Sequence, residues 1–136
     1  MTPFENDSVL NQILVIVGPT ASGKSQLSLE VTSQALQKNI QIELISMDSA
    51  LVYRGLNIGT AKPSMAEQLQ VPHHGIDIRD PWETYSAAQF AKDAARWATE
   101  IRAKGSVPVI VGGTMLYWRA LSQGLTNLPQ SQPEIR

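Results

Sequence analysis

Gly18-Pro19-Thr20-Ala21-Ser22-Gly23-Lys24-Ser25 is a complete GxxxxGK[ST] phosphate-binding loop, and its two flanks decide the fold. Before it, Ile13-Leu14-Val15-Ile16-Val17 is a short apolar, β-branched run that predicts a buried strand. After it, Leu27, Val31 and Ala35 recur at i, i+4 and i+8 with Leu36 extending the stripe, which predicts a helix from about Lys24 to Lys38 whose apolar face covers a sheet. Strand, loop and helix in this order leave backbone N–H groups free where the helix begins, and the helix dipole adds positive potential there. An oligophosphate is the expected occupant. Lys24 supplies a mobile cation and Ser25 a hydroxyl for Mg²⁺.

Outward from the loop, the same alternation repeats. Asn39 is a helix stop, and Ile40 to Ser46 predicts a second strand that delivers Met47-Asp48-Ser49 to its carboxyl end. Gly55, Gly59, Pro63, Pro72, Gly75 and Pro81 break the stretch from Ala50 to Glu83 into what is expected to be functional loop more than scaffold. Ser86 and Gln89 have capping-box spacing ahead of Phe90, Ala94, Trp97 and Ile101, a helical stripe stopped by Gly105. Lys92, Asp93, Arg96 and Glu100 on the other face predict solvated charges with the pairs Asp93/Arg96 and Glu100/Lys104. Pro108-Val109-Ile110-Val111 predicts a third strand ending in Gly112-Gly113-Thr114, and Met115 to Gln123 a helix before Gly124. The expected fold is α/β, a P-loop NTPase-like parallel sheet flanked by helices, with residues 1–136 forming one domain. Ser131-Gln132-Pro133-Glu134 announces a further helix that only Ile135 and Arg136 follow, so the domain is expected to be incomplete, the amino-terminal portion of a larger protein.

Composition narrows the class. With 136 residues, 43% hydrophobic and 17% charged, the chain suits one soluble globular domain with a real core. The absence of cysteine excludes disulfides and thiolate metal sites, and a reducing cytoplasm is expected. Met1 to Gln12 is a polar tail with Glu5 and Asp7, and no apolar run is long enough for export or membrane insertion. A formal charge of −1 gives no overall pull toward nucleic acid, so any such partner needs a local patch or another part of the protein. A monomer is expected.

Active sites of open parallel sheets lie beyond the carboxyl ends of the strands, so Gly18–Ser25, Met47–Tyr53 and Gly112–Thr114 are expected to converge. An ordinary P-loop ATPase would end a later strand in a metal-binding Asp; here that strand ends in Gly-Gly-Thr. Asp48 is therefore expected to help hold Mg²⁺, to act as catalytic base, or simply to cap the turn that follows it. Gly112 and Gly113 allow close backbone approach, while Thr114 either faces the site or caps the next helix. His73 and His74 are expected in a loop, Trp97 and Trp118 in packing, and Trp82 exposed as a stacking candidate for a base. Lys62, Arg54 and Arg119 are possible phosphate contacts, with simple solvation as the bland alternative.

The loop at Gly18–Ser25, then Asp48-Ser49-Ala50-Leu51-Val52-Tyr53-Arg54, Ile58-Gly59-Thr60-Ala61-Lys62-Pro63 and Val111-Gly112-Gly113-Thr114-Met115-Leu116-Tyr117 together resemble the tRNA dimethylallyltransferases, also called tRNA isopentenyltransferases. The resemblance runs nearly end to end. It implies transfer of a dimethylallyl group from dimethylallyl diphosphate to N6 of adenine 37 in the anticodon stem-loop of tRNA. By the same resemblance the phosphate loop, Gly18, Pro19, Thr20, Ala21, Ser22, Gly23, Lys24 and Ser25, holds the donor's diphosphate. Lys24, with Ser25 as ligand to Mg²⁺, neutralises the departing charge, and Asp48 is the general base. Asp48, Ser49, Ala50, Leu51, Thr114 and Arg136 match positions that touch tRNA. Family members are roughly twice as long or more, so the helical tRNA-gripping part is expected elsewhere and these residues alone are expected to be inactive. The competing expectations are an adenylate isopentenyltransferase acting on free AMP, ADP or ATP, an ATP-dependent small-molecule kinase, and a nucleotide-binding module without turnover.

Overall fold

The computed structural model describes residues 14–17, 24–55 and 62–126. In chain order these form β1 (Leu14–Val17), α1 (Lys24–Gln37), β2 (Ile42–Met47), α2 (Met65–Gln70), β3 (His73–His74), α3 (Ala87–Ala103), β4 (Val107–Gly112) and α4 (Met115–Thr126). The strands make one parallel sheet in the order β1-β4-β2-β3. β4 thus inserts between the strand that leads into the phosphate loop and the strand that leads to Asp48, with Val17 and Met47 both level with Gly112.

Alternation along the strands separates two cores. Ile45, Met47, Val15 and Ile110 point to one face and pack with Phe90, Ala94, Trp97, Ala98 and Ile101 of α3 and Tyr117 and Leu121 of α4. Ile42, Leu44 and Val109 point to the other, where Leu29, Val31 and Ala35 of α1 cover them together with Val71. A sheet buried on both faces explains why its strands read as continuous apolar runs. All residues of β2 are buried, including Glu43.

Most helix boundaries follow the expected signals. Asn39 ends α1 in the left-handed region at φ 63°, and Gly105 follows α3 at φ 83°. Ser86 accepts from the Gln89 N–H and Gln89 returns a bond to the Ser86 N–H, at 3.0 and 2.7 Å, closing the capping box of α3. Four expectations need correction. Leu36 is not part of the covered stripe; it is 47% exposed, and Thr32 is buried instead. α4 runs through Gly124 to Thr126, since one glycine costs a helix only about 1 kcal/mol. The stretch from Ala50 to Glu83 contains regular structure: α2, with its own Ser64/Glu67 capping box, and β3. His73 and His74 are therefore strand residues, paired in register with Leu44 and Ile45.

The charges of α3 also differ in part from a solvated face. Asp93 pairs with Arg96 at 3.3 Å as expected, but it also accepts a 2.6 Å bond from the Tyr85 hydroxyl. Lys104 turns from Glu100 to Glu43, at 2.7 Å, because Glu43 is a buried carboxylate on the α3 side of the sheet. His74 Nε2 meets the other Glu43 oxygen at 2.8 Å, its ring 5.9 Å from that of Trp97. Burial alone would raise the Glu43 carboxyl, but the bonds from Lys104 and His74 outweigh it and hold the group below its usual range. Among the described residues no helix is long and apolar enough to cross a membrane.

Candidate active site

The carboxyl ends of β2 and β4 are locked to one another. The Thr114 N–H donates to the Met47 carbonyl at 3.1 Å, and the Ser49 N–H donates to Thr114 Oγ1 at 2.9 Å. Thr114 Oγ1 also lies 3.4 Å from Ser49 Oγ. The Thr114 carbonyl accepts from the N–H groups of Tyr117 and Trp118, so the residue stands at the start of α4 while its side chain serves the turn after β2. Such an approach requires glycine before it: a Cβ on Gly112 would fall 2.0 Å from the Met47 oxygen.

Asp48 leaves β2 at this junction. Its Oδ1 accepts from the Ala50 N–H at 3.0 Å and its carbonyl from the Leu51 N–H at 3.1 Å, a tight Asx turn that fixes the carboxylate by its own backbone. The turn-capping expectation for Asp48 is met, and the geometry leaves it at the strand end where chemistry is expected. Ser49 and Ala50 are exposed, whereas Leu51 and Val52 are buried, so the site has a rim of small side chains over an apolar footing.

Tyr117 forms a wall beside this turn. It is 4% exposed, stacked on Phe90 with ring centroids 4.7 Å apart and edge-on to Tyr85 at 6.1 Å. Burial, then the neighbouring Tyr53 and the negative charge of Asp48, push its phenol up to about 12, so it remains a neutral hydroxyl at physiological pH. Tyr85 is driven in the same direction by burial and Asp93. The sequence reading placed Tyr117 in the predicted helix and in the block that carries the family resemblance, but gave it no role of its own.

The segment after β3 braces the Asp48 turn from the other side. Asp77 N–H donates to the Leu51 carbonyl at 2.9 Å, Ile78 and Arg79 N–H to that of Val52 at 2.8 and 3.0 Å, and Arg54 N–H to that of Arg79 at 2.8 Å. Arg54 and Asp80 pair at 2.9 Å on the surface. Lys62 is not a solvated cation: its side chain is 9% exposed, its Nζ donates to the Tyr53 carbonyl at 3.3 Å, and it forms an ion pair with Asp77. Trp82 is 81% exposed, and Trp97 is buried.

Of the expected site residues, Asp48, Ser49, Ala50, Leu51 and Thr114 come together at the β2/β4 junction. Lys24 and Ser25 open α1 in the chain segment that follows β1. Gly18, Pro19, Thr20, Ala21, Ser22, Gly23 and Arg136 lie outside the described residues. For Mg²⁺, no group of three or more His, Asp or Glu among the described residues could hold an ion.

Comparison with known proteins bears on this arrangement. A family model described as IPP transferase matches residues 51–136. A protein of Polynucleobacter necessarius named tRNA dimethylallyltransferase is 60% identical over 130 residues, covering 94% of this chain and 39% of its own length. The crystal structure of a full-length tRNA isopentenylpyrophosphate transferase from Bacillus halodurans superposes with TM-score 0.73 at 43% identity, over 92% of this chain and 38% of that one. A eukaryotic dimethylallyltransferase described as acting on tRNA gives TM-score 0.70 at 35% identity, over 80% and 26%. The chain thus spans under two-fifths of the length of these proteins.

Proposed function

The chain belongs to the IPP transferase family, and from that membership we propose that the whole protein transfers a dimethylallyl group from dimethylallyl diphosphate to the exocyclic N6 of adenine 37 in tRNA. The observation that carries the reading is the tie between Thr114 and the Met47-Asp48-Ser49 turn. It sets a carboxylate at the end of β2, beside a strand that ends in Gly-Gly-Thr with no metal-binding acid.

In this reading Gly18 to Ser25 hold the diphosphate, with Lys24 against its charge. Mg²⁺, when bound through Ser25 and phosphate oxygens, supplies further neutralisation. The adenine amine is a weak nucleophile because its lone pair is delocalised. As N6 bonds to the allylic carbon, the C–O bond breaks, its electron pair leaves with the diphosphate, and Asp48 takes the N6 proton. Reaching the pocket requires the base to leave its stack, and the edge formed by exposed Ser49 and Ala50 beside half-buried Thr114 suits contact with the nucleotides around it. Arg136 is a further proposed tRNA contact. The protein would act as a monomer in the cytoplasm, with residues 1–136 as the amino-terminal part of its catalytic domain.

The test is prenylation of an anticodon stem-loop by the whole protein, with AMP as competing acceptor. Asp48→Asn should lower kcat by about 10²- to 10⁴-fold. Labelled AMP in place of labelled RNA as the product would overturn the choice of acceptor, and an active Asp48→Asn protein the choice of base.

A further inference from the structure

Lys62 lies in the Gly59-Thr60-Ala61-Lys62-Pro63 stretch, which has no role in the mechanism above, yet it is a lysine with only 9% of its side chain exposed. Lysine is among the residues least often buried, and a buried ammonium must be paired. Its partners are specific. One is the carboxylate of Asp77, a residue held in the left-handed region at φ 57°, where a non-glycine backbone is uncommon. Another is the carbonyl of Tyr53. These two belong to segments that lie side by side at Tyr53 and Arg79.

From these contacts we infer that Lys62 is a positioning residue for Asp48: it clips the segment carrying Asp77 onto the turn that carries the proposed base. The connection is continuous. Lys62 holds Asp77 and Tyr53; the Asp77 N–H holds the Leu51 carbonyl; the Leu51 N–H holds the Asp48 carbonyl. Leu51 and Val52 are buried beneath, so the turn cannot slide without uncovering them. Asp77 is 43% exposed by its side chain, so water can solvate it once the lysine is gone, and loss of the clip would loosen the turn without unfolding the domain. A lysine that instead bound substrate phosphate would need its ammonium turned outward, away from a carboxylate and a carbonyl that already hold it.

The kinetic arm of the test rests on the transferase reading; the exchange arm does not. In the whole protein, Lys62→Met and Asp77→Asn should each lower kcat by roughly 10- to 100-fold, as expected for a misplaced reacting group, with KM for dimethylallyl diphosphate within about twofold of its original value. The double variant should be no slower than the slower single one, and Lys62→Arg should restore part of the rate. Amide hydrogen exchange should rise at Leu51, Asp77, Ile78 and Arg79 in both single variants while Phe90 to Ile101 stay protected. A raised KM for the diphosphate with Asp77→Asn silent would overturn the inference in favour of a phosphate contact. Unchanged exchange at Leu51 and Asp77 in Lys62→Met would overturn it regardless of turnover. If the unaltered protein does not prenylate RNA, the transferase reading fails and the exchange result alone decides the role of Lys62.

Discussion

At the scale of single residues, the site depends on what is missing from Gly112 as much as on what Asp48 carries. The Met47 carbonyl occupies the space a Cβ would need, and it cannot withdraw because it also accepts the Thr114 N–H. Gly112→Ala should therefore part the ends of β2 and β4 and cost about 3 kcal/mol, the upper end for overpacking, read as a lower urea midpoint. An unchanged midpoint would mean that the junction can spread. The substitution acts on stability and on the Asp48 turn together, whereas Asp48→Asn alters only the proton acceptor. Asp48 itself was legible as a group at a strand end. Its Asx turn was legible too, being a contact between residues two apart. That Thr114 turns its hydroxyl toward Ser49 depends on two strands distant in sequence meeting, which no local pattern encodes.

At the scale of elements, α3 shows which signals survive folding. Its Ser86/Gln89 box, its apolar stripe and its Gly105 stop all appear as the spacing predicts, because each is a local interaction within one or two turns. Ser86→Ala should cost about 1 kcal/mol, measured by thermal or chemical unfolding, since it removes the acceptor for the Gln89 N–H. α2 has the same kind of signal in Ser64 and Glu67, but prolines and glycines on either side mask it, and its six residues are too few for a periodic stripe. β3 has only two residues and exists because β2 offers it an edge. The fold class was legible from the apolar runs and the phosphate loop. The partners of Lys62, Lys104 and His74 were not, since each pairs with a group from another element.

At the scale of the whole molecule, the buried Glu43 gives the sheet a dependence on acidity. Its carboxyl lies below the usual range in the folded protein, so the folded state holds fewer protons than the unfolded one as pH falls past 4.5. The stabilisation is present above that pH and is lost as pH falls through the folded value. Burial also holds His73 below 6.5, outweighing its bond to the Val71 carbonyl and the nearby Glu67 carboxylate, which adds a loss of stability beginning at that higher pH. Glu43→Gln should flatten the acid limb below about pH 4.5 and leave the His73 portion, read from unfolding midpoints across a pH series. The strand order has a different consequence. Neighbouring strands lie about 4.8 Å apart, so β1 and β2, with β4 between them, stand roughly 10 Å apart. In the proposed reaction the sheet would be a ruler laid under it. A donor anchored past β1 and an amine offered to Asp48 past β2 would have to meet above β4, over two glycines that put no side chain in the gap, and the reach of the donor from its phosphates to its reactive carbon becomes a dimension the backbone measures.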